Sequence, residues 1–196
     1  MVQTNDIQTF GDFLATVPAS EEYLTLNFSP ASAPRQQRWR NYGLSADFLG
    51  DYFAAFFPGD TLPDSKINRR NTVKATVSYI ANELIENAVK YSDEAFPLPI
   101  SITLFLYELK IIFQITNYSN LPVGENYQAF VQAMLNSDPS ELYLQQLEKT
   151  AMGAGGSSMG LLTMINDYSA QFGWQFQASH HNPEVVQVTV MVHLEV

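Results

Sequence analysis

Glu83, Asn87 and Lys90 stand at i, i+4 and i+7 of a segment with helical periodicity. At about 100° per residue their side chains fall within roughly 60° of one another. A carboxylate, a carboxamide and an ammonium on one stripe suit a phosphate ligand that carries a metal. The amide oxygen is a hard ligand for Mg²⁺, which keeps several waters and takes substrate phosphates into its shell. The lysine neutralises phosphate charge, and the carboxylate orients or deprotonates an attacking water or hydroxyl. The same three residues also fit the solvated border of an ordinary amphipathic helix, where Glu-to-Lys patterns are common.

A second candidate is Gly153-Ala154-Gly155-Gly156-Ser157-Ser158-Met159-Gly160, which leads straight into a helical pattern of Leu161, Ile165, Tyr168 and Phe172. Glycines let the backbone approach a ligand and turn its N–H groups inward, and the following helix start adds partial positive charge. No Gly-Lys-Ser/Thr occurs here, so the segment is not a Walker loop. A helix and loop precede it rather than a strand, which also sets it apart from a dinucleotide-binding turn. A mobile glycine linker is the alternative.

The elements that must position these groups follow from periodicity. Val73, Val77, Ile80, Ala81, Leu84, Ile85, Ala88 and Tyr91 give one broad apolar face to a helix over 71–91. The pattern then changes to period two. Leu98, Ile100, Ile102, Leu104 and Leu106 alternate in one strand, Glu108-Leu109 forms a turn, and Lys110 to Thr116 returns as its antiparallel partner. A helix from Tyr127 to Leu147, interrupted at Asp138-Pro139, precedes the glycine segment. Two strands close the chain, one on Phe172, Trp174 and Phe176, the other on Val186 to Val196. Upstream, a short helix over Ile7–Thr16, a strand over Tyr23–Phe28 and a helix or helix pair from Gln36 to Phe57 are predicted. The sum is an α+β chain of one domain, residues 1–196. It forms a two-layer sandwich: a mixed, mostly antiparallel sheet with helices on one face.

Glu83-Leu84-Ile85-Glu86-Asn87-Ala88-Val89-Lys90-Tyr91-Ser92 resembles the N box of the GHKL superfamily, which includes the gyrase and histidine-kinase ATPase domains. Gly156 to Met164 resembles its second glycine box, closest in flavour to the anti-sigma-factor serine kinases. The similarity covers residues 67–196 and implies the Bergerat type of sandwich. It implies ATP and Mg²⁺ as ligands, Asn87 on the metal, Lys90 at the phosphates and Glu83 as the catalytic carboxylate. Tyr91, Gly155, Gly156, Ser157, Ser158 and Gly160 complete the implied nucleotide-binding set. The family's first glycine box, Asp-x-Gly-x-Gly after a strand, should fall at Ile115-Thr116-Asn117-Tyr118-Ser119-Asn120-Leu121. Here Asn117 replaces the adenine-reading Asp, and both glycines are missing. A neutral amide accepts a hydrogen bond from adenine N6 more weakly than a carboxylate does. Ser158 also stands where a loop glycine is usual.

The resemblance therefore implies an ATP-binding regulatory protein, a Ser/Thr kinase acting on a small partner such as an anti-anti-sigma protein, and a homodimer. The alternative is a degenerate member of the fold that only binds proteins. Composition agrees on the broad class. The net charge is −10, which opposes nucleic acid and anionic membrane surfaces alike. Cations concentrate in Arg35, Arg38 and Arg40 and in Lys66, Arg69, Arg70, Lys74 and Lys90, with none beyond Lys149. There is no cysteine, as suits a reducing cytoplasm, and no stretch apolar and long enough to insert in a membrane. His180, His181 and His193 lie in or beside the closing strands, away from any dimerisation helix, so histidine autophosphorylation is not expected.

Overall fold

The computed structural model describes residues 7–29, 35–59, 68–93, 95–96, 98–151, 159–179 and 182–196. Two hairpins build its sheet. In the first, β3 (Ile100–Leu106) and β4 (Lys110–Asn120) pair antiparallel with Leu104 opposite Phe113. In the second, β5 (Gln171–Ala178) and β6 (Val185–Glu195) pair with Trp174 opposite Val190. The two longest strands, β4 and β6, then join along their whole length, from Lys110 opposite Glu195 to Asn120 opposite Val185. β2 (Glu22–Phe28) adds to β3, and β1 (Ile7–Gly11) adds to β5. The order is β1-β5-β6-β4-β3-β2, and every pairing is antiparallel.

Period-two alternation decides which face is covered. Val186, Val188, Val190, Val192 and Leu194 of β6 share one face with Phe113 and Ile115 of β4 and Trp174 and Phe176 of β5. Against it pack α1 (Arg35–Ala54), α2 (Arg69–Tyr91), α3 (Leu121–Leu135) and α5 (Met159–Tyr168), while α4 (Pro139–Ala151) rests mainly on α5. Hydrophobic side chains from both layers form one cluster, with Leu49, Phe53, Ile80, Ile85 and Trp174 fully enclosed. The expected α+β sandwich is the architecture observed.

Three local expectations change. Residues 7–11 form an edge strand, not a helix, because Gln8, Thr9 and Phe10 pair with Phe176, Gln175 and Trp174, and Gly11 turns out of the strand at φ 61°. The strand predicted over 110–116 continues to Asn120. The helix predicted from Tyr127 begins at Leu121, where Asn120 caps it by accepting a hydrogen bond from the Val123 N–H at 3.0 Å. The expected break at Asp138-Pro139 is present, with Asp138 accepting from the Ser140 N–H at 2.8 Å as α4 begins.

β1 and β2 are consecutive in sequence yet lie at opposite edges of the sheet. Residues 12–21 must therefore cross five strand spacings, about 24 Å at ~4.8 Å each, within the ~33 Å that ten extended residues reach. They do so over the face turned away from the helices. The Asp12 N–H donates to the Phe172 carbonyl at 2.8 Å, and His193 Nε2 bonds the Asp12 carbonyl at 2.8 Å. At the far side Tyr107 donates to the Pro18 carbonyl at 2.7 Å, and Ser20 donates to the Leu106 carbonyl at 2.6 Å. Gly173 admits this strap: a Cβ there would stand 2.5 Å from Phe13 Cα.

On the helix side, α1 approaches α2 most closely at Gly50, where a Cβ would lie 2.8 Å from the Lys74 carbonyl oxygen and overlap the Ser78 hydroxyl. The obstacle is backbone and cannot swing away. Gly50→Ala should therefore cost about 1–3 kcal/mol of stability, as overpacking does. The urea midpoint measures it, and an unchanged midpoint would show that the two helices part freely.

Candidate functional site

The candidate stripe sits where it does because α2 is fixed on the sheet by its other face. Val77, Ile80, Ala81, Leu84, Ile85 and Ala88 are buried. Glu83 and Asn87 are left partly buried on the border of that arc, and Lys90 is exposed at its end. Lys90 forms no ion pair among the described residues, and its ammonium lies over the Tyr91 ring, 5.4 Å from the centroid.

α5 runs along α2 in the opposite direction. The Tyr79 ring stacks on Tyr168, with centroids 5.2 Å and planes 22° apart, and the Tyr79 hydroxyl bonds Thr163. One turn further along α2, Glu83 meets Gly160. A Cβ on that glycine would stand 2.6 Å from the Glu83 carboxyl carbon and overlap its oxygen. With α5 antiparallel to α2, its N-terminal end is directed toward the half of α2 that carries Asn87 and Lys90, and a helix start is a place of partial positive charge. Burial pushes the Glu83 carboxyl above the usual carboxylate range, and the neighbouring Glu86 adds to the rise. Glu86 is itself held by Asn82, whose amide donates to it at 2.8 Å.

Beneath the end of α2 lies β4. Ser119 donates to the Tyr91 carbonyl at 2.7 Å and so ties the last turn of the helix to the strand. Two residues earlier on the same face, Asn117 is 5% exposed, and its Nδ2 has no hydrogen-bond partner. Aromatic rings meet at the end of α2. Tyr91 lies parallel to Tyr127 of α3, with centroids 6.1 Å and planes 10° apart, and Tyr127 continues to Phe130. The Tyr127 hydroxyl accepts from Trp174 Nε1 at 2.9 Å, and burial pushes this phenol up to about 12.

Of the residues singled out in the sequence, Glu83, Asn87, Lys90 and Tyr91 share the second half of α2, Gly160 faces Glu83, and Asn117 lies on the strand below. Gly155, Gly156, Ser157 and Ser158 lie outside the described residues. Of the three histidines, His193 bonds the strap on the opposite face, and His180 and His181 also lie outside the described residues. Among the described residues no group of three or more His, Cys, Asp or Glu could hold a metal ion. Any Mg²⁺ here would have to enter with a phosphate ligand, on the Asn87 oxygen and water, a set that the ion accepts. Sequence reasoning passed over Tyr79, Ser119, Tyr127 and Trp174. Each looked like an ordinary core or helix residue, and only the tertiary pairing of their polar ends sets them apart.

No protein-family model matches the chain, and no curated protein sequence matches it. Among solved structures, a chain of the SiaB–SiaC complex from Pseudomonas aeruginosa matches over 88% of this chain and 89% of that one. The TM-score is 0.55 and the sequence identity is 17%. The two chains share a fold.

Within that fold the polar groups of α2 carry a cost of their own. Folded Glu83 holds its proton to higher pH than the unfolded residue does, so stability falls as pH rises through that interval. Glu83→Gln should therefore raise the urea midpoint at pH 7.5, with the gain shrinking as pH falls into the ordinary carboxylate range. Midpoints that match the parent at every pH would show that the carboxylate is not desolvated.

Proposed function

We propose that the chain binds Mg·ATP between the Glu83–Lys90 stripe and the start of α5, as a histidine-kinase-like ATPase of the GHKL type. It would use the nucleotide to phosphorylate a serine or threonine of a protein partner and so regulate it. The approach of Glu83 to Gly160 is the observation that carries this reading. It brings a carboxylate of raised proton affinity next to a helix start, whose partial positive charge suits phosphate. Asn87 and Lys90 follow on the same border, the first suited to the metal and the second to phosphate charge. The unpartnered amide of Asn117 is a second support, since a buried donor without a partner marks a place where a ligand can be received.

In this reading the partner hydroxyl loses its proton to Glu83 while its oxygen attacks the γ-phosphorus. The bond from that phosphorus to the β-phosphate oxygen breaks, and ADP leaves. Bound with the nucleotide, Mg²⁺ supplies positive charge to the phosphate oxygens. The SiaB–SiaC structure is one of two proteins in complex, and the likeness in fold motivates a protein partner here as well.

A second reading, a partner-binding module without nucleotide chemistry, draws on one feature. β4 passes at Asn120 directly into α3 at Leu121, so the glycine-bearing loop expected after that strand is replaced by a capped helix start. Calorimetric titration separates the two. Wild-type protein should bind Mg·ATP, and Asn87→Ala should weaken it at least about tenfold, the scale of one lost charge-assisted contact, with the circular dichroism spectrum unchanged. Wild-type protein that takes up no Mg·ATP to millimolar concentration would leave the partner-binding module.

A further inference from the structure

We infer that the buried amide of Asn117 would read 6-oxopurine nucleotides, those of guanine or hypoxanthine, as readily as adenine nucleotides. The inference rests on the nucleotide reading above and names the ligand class of that site. Its starting point is the unpaired donor at Asn117.

Asn117 lies on the helix-facing side of β4, opposite Val188 of β6 and two residues from the serine that grips the end of α2. It is 5% exposed, and no group of the protein accepts from its Nδ2. Leaving such a donor unsatisfied is costly, and the cost disappears when a ligand brings an acceptor. Tyr91, whose carbonyl Ser119 holds, stacks nearly parallel with Tyr127 and through it with Phe130, so flat apolar rings follow from the helix turn fastened to this part of β4. A flat heterocycle with an acceptor on its edge answers both features.

The chemistry of the amide then sets the range of bases. A carboxylate only accepts hydrogen bonds, so at this position it would take the amino group of adenine and repel a 6-oxo group; guanine could still meet it through N1–H and the 2-amino group, which hypoxanthine lacks. A carboxamide presents an acceptor and two donors. Toward adenine, its oxygen accepts from the N6 amino group while Nδ2 donates to N1. Toward guanine or hypoxanthine, rotated by half a turn, Nδ2 donates to O6 while the oxygen accepts from the N1 hydrogen. Both pairings satisfy the buried donor, so the amide has no polar ground for preferring one base.

Calorimetry on the full chain with Mg·ATP, Mg·GTP and Mg·ITP tests this, alongside Asn117→Asp. Wild-type Kd values for GTP and ITP should fall within tenfold of that for ATP. N117D should keep ATP binding and weaken ITP, which has no 2-amino group to offer a carboxylate, by about tenfold to hundredfold, the discrimination one bidentate base contact gives. ATP binding with GTP and ITP more than tenfold weaker in the wild type overturns the inference and leaves the nucleotide reading standing. So does an N117D protein that still binds ITP as tightly as ATP. Binding of none of the three by the wild type overturns both. Should N117D fail to fold, the wild-type ratios still decide.

Discussion

Two helices meet at Glu83 and Gly160 without an intervening side chain, and the chemistry available to this molecule depends on that approach. A residue of any other type at 160 would occupy the space of the carboxylate and push it from the start of α5. Because the glycine sits in the first turn of the helix, the carboxylate lies beside the partial positive charge of a helix start. The antiparallel run of α5 along α2, fixed by Tyr79 on Tyr168 and Thr163, directs that end toward Asn87 and Lys90. The same contact that brings the polar groups together also strips water from Glu83. A carboxylate held this way is a stronger base than one in solvent, and it makes the folded chain less stable at neutral pH.

The sequence made the scaffold of this site legible because the scaffold is periodic. The apolar faces of α2 and β3 repeat at 3.6 and 2 residues and their buried positions largely match those repeats. β6 keeps the period-two apolar face but also buries Val185, Thr189 and Met191 on the other side. The stripe of Glu83, Asn87 and Lys90 was readable for the same reason, since helical spacing alone brings its members onto one border. Residues 7–11 were not, because Ile-Gln-Thr-Phe-Gly carries no pattern strong enough to choose a state. Pairing with β5 chooses it, and that strand lies far along the chain, Ile7 meeting Gln177 and Gly11 meeting Gly173. Nothing in residues 12–21 announces a strap across the sheet either. Its fastenings are backbone carbonyls met by Tyr107, Ser20 and His193, which local sequence cannot foretell. Likewise the pair of Tyr127 with Trp174 joins α3 to β5 through polar tips of residues that otherwise look like core.

Four consecutive residues of β4 and its exit do more than the strand pattern suggests. Asn117 points its amide into the helix layer, Ser119 secures the last turn of α2, and Asn120 caps the first turn of α3. Tyr118, facing the other way, accepts at its carbonyl from the Asp93 N–H at 2.9 Å, which ties down the chain just beyond α2. A flexible glycine loop at this place would leave the ends of both helices to find their own positions. Here side-chain and backbone hydrogen bonds set them, so β4 fixes where α2 ends and where α3 begins.

A donor fixed on the central strand of a fully paired sheet cannot move to meet a ligand, since β4 is hydrogen-bonded to both β3 and β6. Any adjustment between the layers has to come from the helix side, where α5 meets α2 through the Tyr79–Tyr168 stack, the Tyr79–Thr163 hydrogen bond and the close contact at Gly160. Shifting α5 along α2 would move Gly160 off Glu83 without breaking a sheet hydrogen bond. The two layers are thus held differently: strand pairing fixes Asn117 in the sheet, whereas the contact at residue 160 depends on one carboxylate side chain lying against a glycine.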